Sequence, residues 1–250
     1  MKALITGASS GIGADLARVL SDMGYDLILV ARRKTRLSKL KSELNTNVDI
    51  INMDISSTFN CMELYNKVKN EDIEILINCA GFGVFGEFTS TSLDKELDMI
   101  DTNIKGLHIL TKLFLQDFTK RNRGYILNVA SSAAFALGPL MASYYASKAY
   151  VLRLSEAIYG ELREIKSNVG ISVLCPGPVD TEFNKVAKVK FSIKPLSSKY
   201  VASYAIDRMF KKKLVIIPGT LMKLNYIFNR FIPKKLLLKI NYNVQSKKEV

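Results

Sequence analysis

Cysteine is scarce in this chain, and its three copies lie far apart. Among 250 residues, Cys61, Cys79 and Cys175 form no CxxC pair and no Cys/His spacing. That excludes a structural zinc site and a disulfide framework, and it fits a reducing compartment. Histidine is scarcer still. His108 stands alone, with no Ser/His/Asp pattern or metal spacing around it, so it is expected to be structural. Prolines number 6 and 48% of the residues are hydrophobic, which argues against disorder. No stretch reaches the roughly eighteen uninterrupted apolar residues of a membrane-spanning candidate. The opening MKALITGASSGIG is too short to span and lacks a signal-cleavage pattern. A chain of this size buries roughly three quarters of its unfolded surface without covalent staples. The expectation is one soluble, cytoplasmic domain over residues 1–250.

Acid is the other shortage, and it is local. Residues 1–182 carry 20 Lys+Arg against 21 Asp+Glu, whereas residues 183–250 carry 16 against 2. The net charge of +13 therefore belongs to the last quarter, and the main body is electrostatically ordinary. No nucleic-acid module accompanies the charge, so nucleic acid is not an expected partner. Three readings of the basic segment stand side by side. It is a solvated face with an oligomer contact, a segment lying on an anionic membrane surface, or a cradle for an anionic carrier such as coenzyme A or a carrier protein.

What is present is an alternation. Short apolar runs (KALITG, DLILVAR, VDIINMD, EILINCAG, GYILNVAS, GISVLCPG and KLVIIPG) are separated by stretches of helical period at 11–24, 58–70, 95–120 and 144–166. Strands that are apolar throughout are buried on both faces, and spacers of this length are crossover helices. The pattern predicts an α/β fold, a doubly wound parallel sheet of about seven strands with helices on both faces. Two segments break the alternation. Residues 181–198 lack a clean period, and residues 220–243 read as two short basic, apolar helices split at Pro233.

The first apolar run ends in LITGASSGIG. Gly7, Gly11 and Gly13 follow strand one and open a helix, where glycine lets backbone approach a pyrophosphate and the helix N-terminus supplies free N–H groups. Ser9 and Ser10 add hydroxyls, and Ile12 completes the loop. The spacing Gly-x-x-x-Gly-x-Gly differs from the common Gly-x-Gly-x-x-Gly fingerprint. By itself it is also compatible with a tight turn that holds no ligand. Strand two ends in Ala31-Arg32-Arg33 with no acid. A carboxylate there would bind ribose hydroxyls, whereas a guanidinium accommodates a 2′-phosphate, so NADP(H) is favoured over NAD(H), with Arg32 ahead of Arg33. Farther on, SYYASK places Tyr144 and Tyr145 four and three residues before Lys148. Both spacings lie on one helix face, so helical geometry does not choose between them.

Taken together, TGASSGIG at 6–13, NCAG at 78–81, SYYASK at 143–148 and PGPVDT at 176–181 fall in the order seen in short-chain dehydrogenases/reductases. Over about residues 1–210 the chain resembles that family of Rossmann-type, NAD(P)-dependent oxidoreductases. The resemblance implies several roles. The Tyr-x-x-x-Lys pattern selects Tyr144 as general acid/base, with Lys148 lowering its pKa and binding the nicotinamide ribose. Ser131, thirteen residues before Tyr144, would polarise the carbonyl. Asn103 would hold a water that relays protons to Lys148. Asp54 would contact adenine, with Ile55 beside it, and Asn78, Ala80 and Gly81 would line the adenosine ribose. Cys79 departs from the family's usual asparagine. Pro176, Gly177, Val179 and Thr181 would hold the nicotinamide amide, and residues 181–198 would be a substrate flap. A homodimer or homotetramer packed through the long helices would fit the family.

Tyrosine at its ordinary pKa of about 10 is a poor acid-base catalyst, so a nearby ammonium together with the positive oxidised nicotinamide is the expected means of activating it. Residues 81–88, residues 133–141 and Phe183 are apolar enough to line a pocket for a hydrophobic ketone, aldehyde or acyl carbonyl, or the matching alcohol. Two other readings remain beside carbonyl reduction: a non-catalytic NADP-binding sensor or scaffold, and a lipid-acting reductase at a membrane surface.

Overall fold

The apolar runs become strands, most of them buried from both sides, whereas the edge run Val48–Asn52 is only partly buried. In the computed structural model, which describes residues 1–183, 194–228 and 231–246, these strands are β1 (Lys2–Thr6), β2 (Asp26–Ala31), β3 (Val48–Asn52), β4 (Ile73–Asn78), β5 (Tyr125–Val129), β6 (Gly170–Leu174) and the short β9 (Val215–Ile216). They form one parallel seven-stranded sheet in the order β3-β2-β1-β4-β5-β6-β9. The fold is the Rossmann-type doubly wound sheet that the alternation predicts. The strand order reverses between β1 and β4, which opens a crevice at the carboxyl edge of the sheet.

Alternate side chains of each strand point to opposite faces. Ala3 and Ile5 join Leu16 and Leu20 of α1 (Gly11–Asp22) and Val201 and Ala205 of α7 (Ser198–Phe210). Leu4, between them, joins Leu64 of α3 (Thr58–Val68), Phe114 of α5 (Leu107–Lys120) and Ile158 of α6 (Ala142–Glu164) on the other face. Helix α2 (Lys34–Ser42) follows β2. The helical period read over 95–120 is one path but not one helix. It divides into α4 (Leu93–Ile100), a π-helical turn Asp101–Gly106, and α5. Such turns widen a helix locally and occur often at functional sites.

Two short strands, β7 (Val179–Asp180) and β8 (Leu196–Ser197), pair parallel to each other. They tie together the two ends of the segment read as a flap. Its interior, residues 184–193, lies outside the described residues. The basic segment carries α8 (Thr220–Phe228) and α9 (Lys234–Gln245).

Candidate active site

The crevice is a cleft of about 1140 Å³, running from Arg33 at one end to Phe183 and the apolar loop at the other. Its floor is the glycine loop. Gly7 turns with φ +68°, a left-handed conformation that glycine adopts without strain. A Cβ on Gly7 would lie 2.6 Å from Ala80 Cα, so the loop meets the end of β4 backbone to backbone. Thr6 Oγ1 stitches the same junction by accepting from Cys79 N at 3.2 Å. Ser10 caps α1 without a side-chain hydrogen bond, which leaves the first N–H groups of the helix for an anion. Ser9, Ser10, Gly11, Ile12, Gly13, Asp54, Ile55, Ala80, Gly81, Pro176, Gly177, Val179 and Thr181 all line the cleft, with Gly7.

Asn78 does not. Its side chain is buried beneath the cleft and donates to Thr111 Oγ1 at 3.0 Å and Asn128 Oδ1 at 2.9 Å. Among the expected cofactor-lining residues, Asn78 thus acts on the strand ends that hold the loop. Cys79 lines the cleft beside it, its thiol pushed up to about 12 by burial.

The catalytic candidates converge on the middle of the cleft. Ser131 follows β5 and caps the turn Ser132–Phe135, its Oγ accepting from Ala133 N at 3.1 Å. The Ser131 side chain also lies beside the Tyr144 phenol and favours its ionised form. Tyr144 is 8% exposed. Burial pushes its phenol above the ordinary tyrosine value, and the Ser131 side chain pulls it partly back. Lys148 Nζ lies 5.9 Å from the centre of the Tyr144 ring and donates to Val129 O at 3.0 Å. Burial lowers the lysine to about 8. Among the protein groups around this phenol, desolvation outweighs the Ser131 side chain.

Asn103 sits in the π-helical turn, fully buried. Its Oδ1 accepts from Phe82 N at 3.1 Å, and its Nδ2 donates to Phe82 O at 2.9 Å and Ser147 Oγ at 3.1 Å. Both amide hydrogens are thus committed to protein, and one Oδ1 lone pair is left. A Cβ on Gly81 would lie 2.8 Å from Asn103 Oδ1 and 3.2 Å from Lys148 Nζ, so Gly81 separates the two groups. Tyr145 turns elsewhere: its ring covers Gly138 and its hydroxyl accepts from Gln245 Nε2. His108, the lone histidine, shares a hydrogen bond of 2.8 Å with the Tyr150 hydroxyl at the surface.

At the far end the two arginines differ. Arg32 faces Asp54 at 3.5 Å. Arg33 lies over the glycine loop and donates to Ser9 Oγ at 3.0 Å, Ser10 Oγ at 2.8 Å and Glu182 Oε2 at 2.9 Å. Arg36, on the first turn of α2, donates to the same Glu182 oxygen at 2.5 Å. Hydrogen bonds from Arg36 and Arg33 hold the Glu182 carboxyl down at about 2.

The sequence pattern described as short chain dehydrogenase matches residues 1–190. The chain belongs to the short-chain dehydrogenase family. An uncharacterized oxidoreductase of Staphylococcus epidermidis is 34% identical over 182 residues, spanning 72% of this chain and 78% of the relative. The very-long-chain 3-oxoacyl-CoA reductase of Coccidioides immitis is 34% identical over 200 residues, spanning 76% of this chain and 57% of that protein. The solved short-chain dehydrogenase from Sphingobium yanoikuyae, in complex with NADPH, is 30% identical with a TM-score of 0.81, covering 88% of each chain. One from Burkholderia phymatum, in complex with NAD, is 24% identical with a TM-score of 0.82 over 90% and 91% of the two chains, a likeness of fold.

A short-chain dehydrogenase with this loop is an oxidoreductase suited to a nicotinamide dinucleotide. The backbone cradle at Gly7, which a side chain would fill, fits a pyrophosphate, and the uncapped start of α1 fits its charge. The other half of the cleft has an apolar wall beside the polar side chains of Ser90, Thr91, Ser92, Lys95 and Asp98. Phe82, Val84, Phe85 and Phe183 pack with Met99, Met141 and Tyr144. Sequence reading missed several lining residues: Glu182 with its partner Arg36, and Met222, Asn241, Val244 and Gln245 from α8 and α9. The four-residue spacing of Leu237, Asn241 and Gln245 was the available signal for the inward face of α9.

Proposed function

We propose that the enzyme reduces a hydrophobic ketone, aldehyde or acyl carbonyl with NADPH, or runs the reverse alcohol oxidation. The observation that carries this reading is the meeting of Ser131, Tyr144 and Lys148 in the middle of the cleft, beside an apolar wall. A protein that only bound the dinucleotide would need the loop but not this trio. When bound, the nicotinamide supplies or accepts the hydride. Ser131 Oγ donates to the substrate oxygen and holds it against the phenol. Tyr144, kept protonated by burial, gives its proton to the oxygen as negative charge grows there. The Lys148 ammonium stabilises the phenolate that remains. Asn103 is a positioning residue: through Phe82 it keeps Gly81 between itself and Lys148. Its free Oδ1 lone pair is the place for a relay water.

NADP(H) is favoured because Arg33, rather than Arg32, lies beside the loop serines, and Arg36 stands with it on a shared carboxylate. Two guanidiniums gathered on one anion are suited to a 2′-phosphate. The segment from Thr181 onward is read as the substrate flap, and Phe183, whose ring lies 5.4 Å from that of Tyr144, is its described apolar contact with the site. The apolar wall supports aliphatic, aromatic or acyl carbonyls over sugars, a reading that the name of the Coccidioides relative also favours.

The test is NADPH consumption over a graded panel of aliphatic, aromatic and acyl-thioester carbonyls, with Tyr144→Phe and Tyr145→Phe run in parallel. Turnover in Tyr144→Phe is expected to fall by roughly 10²- to 10⁴-fold, the range for a lost general acid. Tyr145→Phe is expected to keep turnover. Tight NADPH binding with no turnover on any carbonyl, or equal loss in the two variants, overturns the assignment.

A further inference from the structure

The faces of the two C-terminal helices are unequal in a way the catalytic reading does not use. On α9, Leu237 and Gln245 are buried and Asn241 donates to Leu137 O at 2.7 Å, so this row seats the helix against the body. Leu236, Ile240 and Val244, also spaced by four, form a second row that is exposed, and Val244 at its end also lines the cleft. Lys235 and Lys239 form a third, exposed row. On α8, Met222 lines the cleft and the Tyr226 ring lies tilted with its centre 4.3 Å from that of Phe135, while Leu221, Leu224 and Phe228 are exposed. Exposed apolar rows flanked by lysines are the pattern of helices that lie in a membrane interface. Among the described residues, no helix is long and apolar enough to cross a membrane.

Charge decides what covers these rows. From Thr220 to Lys248 the chain carries 7 Lys+Arg and no acid. A second copy of the chain would set lysines against lysines, whereas an anionic lipid surface complements them. We infer that α8 and α9 form a docking surface for an anionic membrane at the mouth of the cleft, through which the enzyme takes carbonyls borne on lipid chains. The substrate clause rests on the carbonyl-reductase reading. The docking clause does not, and it is tested without turnover.

The experiment is cosedimentation of the full chain with vesicles of phosphatidylcholine alone and of phosphatidylcholine containing phosphatidylglycerol, at low and high salt. Analytical ultracentrifugation without vesicles accompanies it. Wild type is expected to sediment with the anionic vesicles only, and to be released by salt. One lysine near an anionic surface raises partitioning about fivefold, so Lys235→Glu with Lys239→Glu is expected to weaken binding by at least ~25-fold. Leu236→Glu with Ile240→Glu is expected to abolish it. NADPH fluorescence titration checks that both variants keep their fold. If a variant loses NADPH binding, the lipid and salt dependence of wild type alone decides. Equal sedimentation with both vesicle types, or none, overturns the proposal. So does a wild-type dimer that Leu236→Glu with Ile240→Glu dissociates while vesicles are ignored, which would make the rows an interface between copies. Binding as expected, with vesicle-held long-chain ketones turned over no faster than short soluble ones, overturns the substrate clause alone.

Discussion

Replacing Lys148 by methionine removes a buried ammonium while keeping an unbranched side chain of similar reach. Burial lowers this lysine from 10.5 to about 8. At 1.36 kcal/mol per pKa unit, carrying the charge in the folded state costs about 3 kcal/mol at neutral pH. The variant also loses the hydrogen bond to Val129 O, worth about 1 kcal/mol. Lys148→Met is therefore expected to be more stable than wild type by about 2 kcal/mol near pH 7, while losing turnover. For a chain of this size that raises Tm by roughly 4–8 °C. The gain depends on pH in a defined direction. Between about pH 8 and 10.5 the unfolded chain binds more protons at this site than the folded chain does, so wild-type stability climbs with pH relative to the variant. By about pH 10 the penalty falls below ~1 kcal/mol and the lost hydrogen bond cancels what remains. Urea unfolding of both proteins near pH 7 and near pH 10 measures this. A variant less stable than wild type by the same amount at both pH values would refute the argument, because it would mean that Lys148 is held as a well-compensated charge.

Two further expectations follow from the cleft. Gly81→Ala would put a methyl 2.8 Å from Asn103 Oδ1 and 3.2 Å from Lys148 Nζ. It is expected to lower kcat by at least about tenfold with a smaller effect on NADPH binding, since a displacement near 1 Å can cost more than that; unchanged steady-state kinetics would remove Gly81 from the argument. Glu182→Gln would release Arg33 and Arg36 from a carboxylate. Fluorescence titration is expected to show NADPH binding tightened roughly fivefold, on the scale of exposed ion pairs, with NADH little changed. Equal effects on the two dinucleotides would mean that these arginines do not sense the 2′-phosphate.

Much of the fold was legible because it follows from local pattern. Continuous apolar runs separated by helical periods admit few arrangements other than a parallel sheet, and the glycine loop's place after β1 follows from adjacency in the chain. The π-helical turn at Asn103 was not legible, since 95–120 keeps its period and only the placement of its residues against Phe82 and Ser147 defines the widened turn. The role of Arg33 was half legible: charge type shows in sequence, but which guanidinium reaches Ser9 and Ser10 depends on how α2 leaves β2.

By itself, then, the sequence determined the order of the strands' burial, the loop that approaches an anion and the residue types available for proton transfer, because these depend on near neighbours. Spacing alone left Tyr144 and Tyr145 equivalent toward Lys148. The tertiary structure separated them, setting Ser131 of the turn after β5 against one phenol and Gln245 of the last helix against the other. It also decided that α8 and α9 fold back to the cleft with their apolar rows outward. That depends on which of several apolar rows finds a partner, and a row's partner lies far away in the chain.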